Sequence, residues 1–133
     1  ERDSISEDSK TIIQQDQSII YTGFVMDSGP YFSIMDIFIL PTYREGFPTV
    51  SLEASSMELP VLITKATGCS EAIIEGETGF FVDNTVDSIV NGISIYLSDE
   101  SIRLSHGING RRFVLNNFEE KKIWEEIRSK LEY

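Results

Sequence analysis

The fold is decided by residues 36–54, which read DIFILPTYREGFPTVSLEA. The stretch opens with a continuous apolar run, residues 36–40, that ends at a proline. Continuous runs of this kind are typical of strands buried on both faces of a parallel sheet. A loop over residues 42–48 follows. Pro48 then predicts a helix over residues 49–57, because proline is favoured at or just before a first helical turn.

The same alternation of strand and helix continues on both sides of this unit. Strands are predicted at residues 18–22, 60–64 and 80–82, and helical segments at 4–16, 29–35, 71–74, from 85, at 100–116 and at 119–131. Alternating elements favour an α/β fold with a parallel sheet flanked by helices. Four strands are fewer than the five or six of a doubly wound sheet. We therefore expect a truncated, Rossmann-like parallel sheet, half of a larger α/β domain.

Composition argues against several functional classes. The chain has 133 residues, 11 Lys and Arg against 22 Asp and Glu, and a net charge of −11. This balance disfavours nucleic-acid binding, which rests on phosphate neutralisation, and docking on an anionic membrane. The single cysteine and single histidine disfavour a zinc site of the His-Cys kind and Ser-His-Asp chemistry. No apolar run is long enough to span a bilayer, and the start does not read as a signal peptide.

The loop and helix after the first apolar run carry the chemistry. A helix start presents free N–H groups and a positive dipole end, a ready site for phosphate. Gly46 lets the backbone approach a ligand. Glu45 lies on the loop at the carboxyl end of a strand, where open α/β sheets bind ligands. Glu53 lies about one helical turn inside, roughly 6 Å from the phosphate-facing end at 1.5 Å per residue, and suits the two hydroxyls of a ribose.

Two glutamates separated by seven residues, Glu45 and Glu53, resemble the E-x7-E signature of retaining GT-B glycosyltransferases (glycosyl transferases group 1). Other segments agree in order: YTGFV at 21–25, the strand at 36–41, Pro60-Val61, GCSEAI at 68–73, and the G-x-x-G-FFV stretch at 76–82. The resemblance covers about residues 18–115. It implies the donor-binding C-terminal half of the GT-B fold, so residues 1–133 are expected to be part of that domain, with the N-terminal acceptor domain absent.

The resemblance also implies roles for individual residues. Glu45 is the catalytic candidate, contacting the transferred sugar. Donor-binding roles fall to Gly46 and Phe47 at the sugar, to the backbone N–H groups of Thr49 and Val50 at the diphosphate, and to Glu53 at the ribose. It implies no metal and no cofactor beyond the nucleotide-sugar substrate, and this chain alone is expected to be inactive.

The function expected of the whole protein is transfer of a sugar from a nucleotide-sugar donor to a glycan or lipid-linked acceptor, in surface polysaccharide biosynthesis. A UDP-sugar is favoured over a GDP-sugar. The location expected is cytoplasmic, with contact to the inner face of the membrane through the other domain. The alternatives are a nucleotide-sugar epimerase of the same fold, a non-catalytic nucleotide-binding module and a pure interaction domain.

For some residues the sequence allows a structural interpretation that needs no ligand. Gly68 and Glu71 either face the nucleotide or only shape a turn. Cys69 is expected to fill that turn, and His106 to lie on the surface. Trp124, with two isoleucines at helical spacing, predicts an apolar packing face. Apolar surface or an unpaired strand edge is expected near residues 18–22, with marginal stability or self-association through it.

Overall fold

The computed structural model describes residues 5–131, which form three strands and six helices. In chain order they are α1 (Glu7–Gln15), α2 (Gly29–Phe32), β1 (Phe38–Leu40), α3 (Thr49–Ser56), β2 (Val61–Thr64), β3 (Gly79–Val82), α4 (Val86–Ser98), α5 (Glu100–Asn117) and α6 (Glu120–Leu131). The strands lie in the order β1-β2-β3 and both pairings are parallel. The predicted α/β class and the parallel sheet flanked by helices are confirmed.

β2 is the centre of the core, and all four of its residues are buried. Val61 and Ile63 face one side with Cys69, Ala72 and Ile73 of the following loop. The other side is covered by α4, where Leu62 packs in a cluster with Tyr96. β1 is only half-buried, so the prediction that this strand is buried on both faces is wrong. Its neighbour on one side is β2, and no second strand covers its other side within residues 5–131.

The outer edge of β3 is covered without a further strand. The Glu75 carboxylate accepts the outward-facing Phe81 N–H at 2.6 Å. Gly76 N–H donates to the Gly79 carbonyl at 2.9 Å. These bonds satisfy backbone groups that an open sheet edge would leave exposed.

α5 joins the layers together. It begins after α4 and runs along α3, and two of its glycines lie close to the end of α3. A Cβ on Gly107 would lie 2.0 Å from the Glu58 carbonyl oxygen, and one on Gly110 would lie 3.3 Å from Ser55 Cβ. Glycine at these positions lets α5 pack against the end of α3 that leads into β2.

His106 on the same helix is buried against Phe80 of β3 and Tyr96 of α4, so its predicted surface position is wrong. It is 5% exposed, its ring is tilted against that of Phe80 with centroids 4.9 Å apart, and its Nδ1 lies 2.8 Å from the Tyr96 hydroxyl. Burial lowers the His106 pKa and raises that of Tyr96. The sequence around His106 is polar and so did not predict its burial, because the buried residues of α5 are a histidine and two glycines rather than an apolar stripe.

The predicted strand at 18–22 is also wrong, since these residues form no strand and Ile20 is 84% exposed. β-branched composition favours a strand only where a partner strand is available. The exposed apolar surface expected in this region is present, because Tyr21, Phe24 and Met26 are exposed as well. The self-association expected from it stays a prediction.

Two smaller predictions are corrected in the same way. Residues 71–74 form a turn rather than a short helix, with Ala72 N–H bonded to the Cys69 carbonyl at 3.1 Å. In α6, Trp124 is 57% exposed, so the predicted apolar face is not buried within the described part of the chain.

No helix within residues 5–131 has the length and hydropathy of a membrane span.

Candidate functional site

The carboxyl ends of the three strands meet at one edge of the sheet, and the loop between β1 and α3 begins there. Thr42 N–H donates to Thr64 Oγ1 at 2.8 Å, and the Thr64 hydroxyl donates to the Thr42 carbonyl at 2.5 Å. Thr64 is the last residue of β2 and is buried. This reciprocal pair fixes the start of the loop to the central strand.

A second contact holds the loop at Glu45. Its N–H donates to the Thr67 carbonyl at 2.9 Å. Gly68 has φ +86°, and a Cβ there would lie 2.2 Å from the Glu45 carbonyl oxygen. Only glycine accepts both this conformation and this approach. Gly68 therefore shapes the loop, and Glu71 nearby is exposed. That this turn faces the nucleotide stays a prediction.

Gly46 and Phe47 continue the loop in different environments. Gly46 is exposed, and no atom lies within 4 Å of the position that a Cβ would take. Phe47 is half-buried, with its ring 5.7 Å from that of Phe118 at the end of α5. The backbone at 46 is therefore open to a ligand, while the Phe47 side chain ties the loop to the helical layer.

α3 starts directly after this loop, as predicted, with buried Pro48 preceding its first turn. The Val50 N–H donates to no acceptor within the described residues. The Thr49 N–H already donates to the Phe47 carbonyl at 2.9 Å, so it would have to leave this bond to reach a phosphate. Ser51 Oγ is buried in the first turn of α3 and has no hydrogen-bond partner in the described part of the chain.

Glu53 is exposed on the same helix, and its Oε2 accepts a hydrogen bond from Ser28 Oγ at 3.2 Å. Ser28 precedes α2, whose Phe32 is buried against α3 beside Ala54. Sequence reasoning missed Ser28, because the contact joins residues 25 positions apart. It also missed Thr64 and Thr67 as supports of the Glu45 loop, since neither carries a motif.

Cys69 is fully buried and fills the turn after β2, as predicted. Burial raises the pKa of its thiol, and the charge of Glu45 adds to this effect. The thiol is therefore held in its unreactive protonated form. Within residues 5–131 no cluster of His, Cys, Asp and Glu has the geometry of a metal site.

The arrangement brings together one half-buried carboxylate, an open glycine backbone, a helix start and an exposed carboxylate, all following the carboxyl end of β1. Such an edge is where open α/β sheets bind ligands. A phosphate at the helix start would have a hydroxyl-binding carboxylate in the loop before it and another in the helix after it.

A family model and several known proteins match this chain. The sequence profile described as "Glycosyl transferases group 1" matches residues 7–113. "Capsular polysaccharide biosynthesis glycosyltransferase CapM" of Staphylococcus aureus is 38% identical over 127 residues, which is 95% of this chain and 33% of that protein. "Lipopolysaccharide core biosynthesis mannosyltransferase LpcC" of Rhizobium leguminosarum bv. viciae is 30% identical over 75% of this chain and 29% of that protein.

A structural neighbour shows the same fold. Anabaena Alr3699/HepE, solved in complex with UDP, superposes with a TM-score of 0.86 over 94% of this chain and 35% of its own, at 22% identity. The three parallel strands and their helices match the Rossmann-like C-terminal domain of the GT-B fold. This chain spans about a third of the length of the relatives it matches. It belongs to the glycosyl transferases group 1 family.

Proposed function

We propose that this chain is the donor-binding part of a retaining GT-B glycosyltransferase of the E-x7-E type, with the nucleotide sugar bound along the loop and helix start at residues 45–53. The observation that carries the proposal is the Glu45 loop, which the Thr67 carbonyl and Gly68 hold at the carboxyl edge beside the start of α3. A site that must orient a reacting sugar needs this kind of rigid support.

Each carboxylate has a distinct proposed role. Glu45 contacts the transferred sugar near the reacting carbon, and the open backbone at Gly46, with that of Phe47, lines the sugar pocket. The N–H groups of Thr49 and Val50 bind the diphosphate. Glu53 accepts hydrogen bonds from the ribose hydroxyls. Ser28 donates to only one of the two Glu53 carboxylate oxygens, so the other is available to the ribose.

The proposed reaction needs only the two substrates. The bond between the anomeric carbon and the diphosphate oxygen breaks, and its electron pair leaves with the nucleoside diphosphate. The bond between that carbon and the acceptor oxygen forms, and the acceptor proton leaves with the diphosphate. Positive charge develops on the sugar ring, so a nearby carboxylate such as Glu45 stabilises the transition state. We propose that no metal ion takes part.

The nature of the donor and acceptor is also a proposal. A UDP-sugar is favoured because HepE was solved with UDP, and a GDP-sugar is second. The capsule and lipopolysaccharide enzymes among the relatives favour an acceptor in surface polysaccharide biosynthesis, either a glycan or a lipid-linked glycan. The acceptor-binding domain would belong to the remainder of the whole protein, as would contact with the inner face of the membrane. A cytoplasmic location suits the donor.

The test is product analysis with the whole protein, given UDP- and GDP-sugars and membranes that hold lipid-linked acceptors. We expect a glycoside with the donor's anomeric configuration, and a roughly 100-fold lower rate in Glu45→Gln. Glu77→Gln is the matched control, since Glu77 is exposed near the other end of the sheet. Release of nucleotide and an epimerised sugar without acceptor would identify an epimerase. Binding without turnover, unchanged by Glu45→Gln, would identify a non-catalytic module.

A further inference from the structure

Two adjoining cavities lie beside the donor site at the carboxyl edge of the sheet. One, of about 200 Å³, crosses the ends of all three strands and is lined by Tyr43, Lys65 and Asn84 among others. The other, of about 370 Å³, continues to the outer edge of β3 and is lined by Glu75 and Ser88. Lys65, Val82 and Asp83 line both cavities. We call this pair the strand-end groove. Its combined size falls in the range of small-molecule sites, roughly 300–1,000 Å³.

The walls of the groove are fixed by bonds that leave other groups unused. Thr42 and Thr64 bond to each other across the strand ends, Glu75 accepts the Phe81 N–H, and Ser88 Oγ accepts the Asp83 N–H at 2.9 Å. By contrast, the side chains of Lys65, Asp83 and Asn84 are exposed, and none has a hydrogen bond or ion pair within the described residues. A fixed wall with unpaired polar groups is suited to binding a polar ligand.

The hydrogen-bonding groups that line the groove indicate which class of ligand it binds. Lys65 supplies only donors, Asp83 only acceptors and Asn84 both, which matches hydroxyl groups that donate and accept. The Tyr43 ring is 83% exposed and offers an apolar face for the C–H side of a pyranose. Two carboxylates against one ammonium disfavour a diphosphate here. The charged lining disfavours an apolar ligand.

The groove follows the ends of the strands, starting from the loop that carries Glu45. It runs from the end of β1 across β2 and β3, whereas α3, where the diphosphate is proposed to bind, connects β1 to β2. Its near end is Tyr43, two residues before Glu45 in the same supported loop. A saccharide in the groove would therefore have one end at the loop that carries Glu45 and the other at the outer edge of β3.

We propose that the strand-end groove binds the acceptor saccharide, so that the donor-binding domain itself contributes an acceptor subsite. The assignment as acceptor rests on the proposed function, while saccharide binding in the groove does not. Tyr43 supplies the stacking surface, and Lys65, Asp83 and Asn84 bind hydroxyls.

The test is a two-dimensional NMR titration of the 133-residue chain with methyl α-glucoside, methyl α-galactoside and methyl N-acetyl-α-glucosaminide. We expect at least one to shift residues 42–43, 65 and 83–84 with a millimolar dissociation constant. Tyr43→Ala should weaken this binding about fivefold or more. Tyr21→Ala is the matched control, because Tyr21 is 79% exposed but lies outside the groove. Asn84→Ala provides a second variant.

Three results would overturn the proposal. The first is the lack of any saturable shift at the groove with all three glycosides. The second is binding that Tyr43→Ala and Asn84→Ala leave unchanged. The third is displacement of the glycoside by UDP-glucose, which would make the groove the position of the donor sugar. None of these three results depends on Glu53. Failure of the groove proposal is therefore distinguishable from failure of the donor-site proposal, for which nucleotide shifts are expected at residues 45–53.

Discussion

The two ends of the sheet are built differently. At the amino end, α5 packs against α3 so closely that a Cβ on Gly107 would reach the Glu58 carbonyl oxygen, and the polar groups of Tyr96 and His106 satisfy one another in a buried pair. At the carboxyl end, Gly46 has open space before it, and Lys65 and Asp83 are exposed. Among the glycines of that end, Gly68 makes a close approach, where one loop supports another. The comparison indicates that the amino end stabilises the fold and the carboxyl end is available for binding.

The largest expected effect is at a helix crossing of the amino end. Gly107→Val should destabilise the chain by about 3 kcal/mol or prevent folding, because its side chain meets backbone atoms that cannot move independently. Gly46→Ala, at the carboxyl end, should change the free energy of unfolding by less than about 0.5 kcal/mol. Urea unfolding followed by circular dichroism measures both. Equal losses in the two variants would remove the distinction between the ends.

Next in size is the loss of one partner in the buried polar pair. Tyr96→Phe keeps the ring but leaves His106 Nδ1 without its hydroxyl partner. An unsatisfied buried polar group costs about 1–3 kcal/mol, so a loss in this range is expected in the same unfolding measurement. Tyr43→Phe removes a hydroxyl from an exposed ring and should cost almost nothing. A Tyr96→Phe variant as stable as the native chain would show that the pair contributes nothing to the fold.

A smaller effect should follow pH. Burial holds the His106 pKa below its ordinary value of 6.5 in the folded state, so the unfolded chain takes up the proton first as pH falls. The contribution of neutral His106 to stability is therefore complete above about pH 6.5 and is lost as pH falls through the folded pKa. Unfolding free energies measured from pH 7.5 to 5 should decline, and the decline should be shallower in His106→Gln. Parallel curves for the two proteins would mean that another group titrates.

The smallest effect on stability is expected at the proposed ribose contact. Glu53 is exposed, and its hydrogen bond to Ser28 is at the surface. Glu53→Ala should therefore change the unfolding free energy by less than about 0.5 kcal/mol. Thermal unfolding checks this. A drop comparable to that of Tyr96→Phe would place Glu53 among the residues that hold the fold together.

The sequence predicts the parts of this molecule that depend on local pattern. The apolar run of β2, the start of α3 after Pro48 and the turn at Gly68 are all explained by neighbouring residues, and the structure has each of them. Residues 18–22 have the composition of a strand, but strand formation depends on a partner that local composition cannot supply.

His106 and Ser28 show the same limit in the site and the core. His106 is buried because α5 packs it against Phe80 of β3 and Tyr96 of α4. Ser28 reaches Glu53 because Phe32 packs α2 against α3. Both depend on contacts between residues distant in the chain. The E-x7-E spacing identified Glu45 and Glu53 as candidates, while the supports of the Glu45 loop came only from the three-dimensional arrangement.

The most direct test of the donor site is an NMR titration of this chain with UDP, GDP and ADP, repeated on Glu53→Ala and on Glu77→Ala as control. We predict that one nucleotide, UDP by preference, shifts residues 45–53 and 66–71. Loss of hydrogen bonds to a charged group should weaken its binding at least tenfold in Glu53→Ala and leave it unchanged in Glu77→Ala. Nucleotide shifts that avoid residues 45–53, or that Glu53→Ala leaves intact, would contradict the assignment of this edge as the donor site.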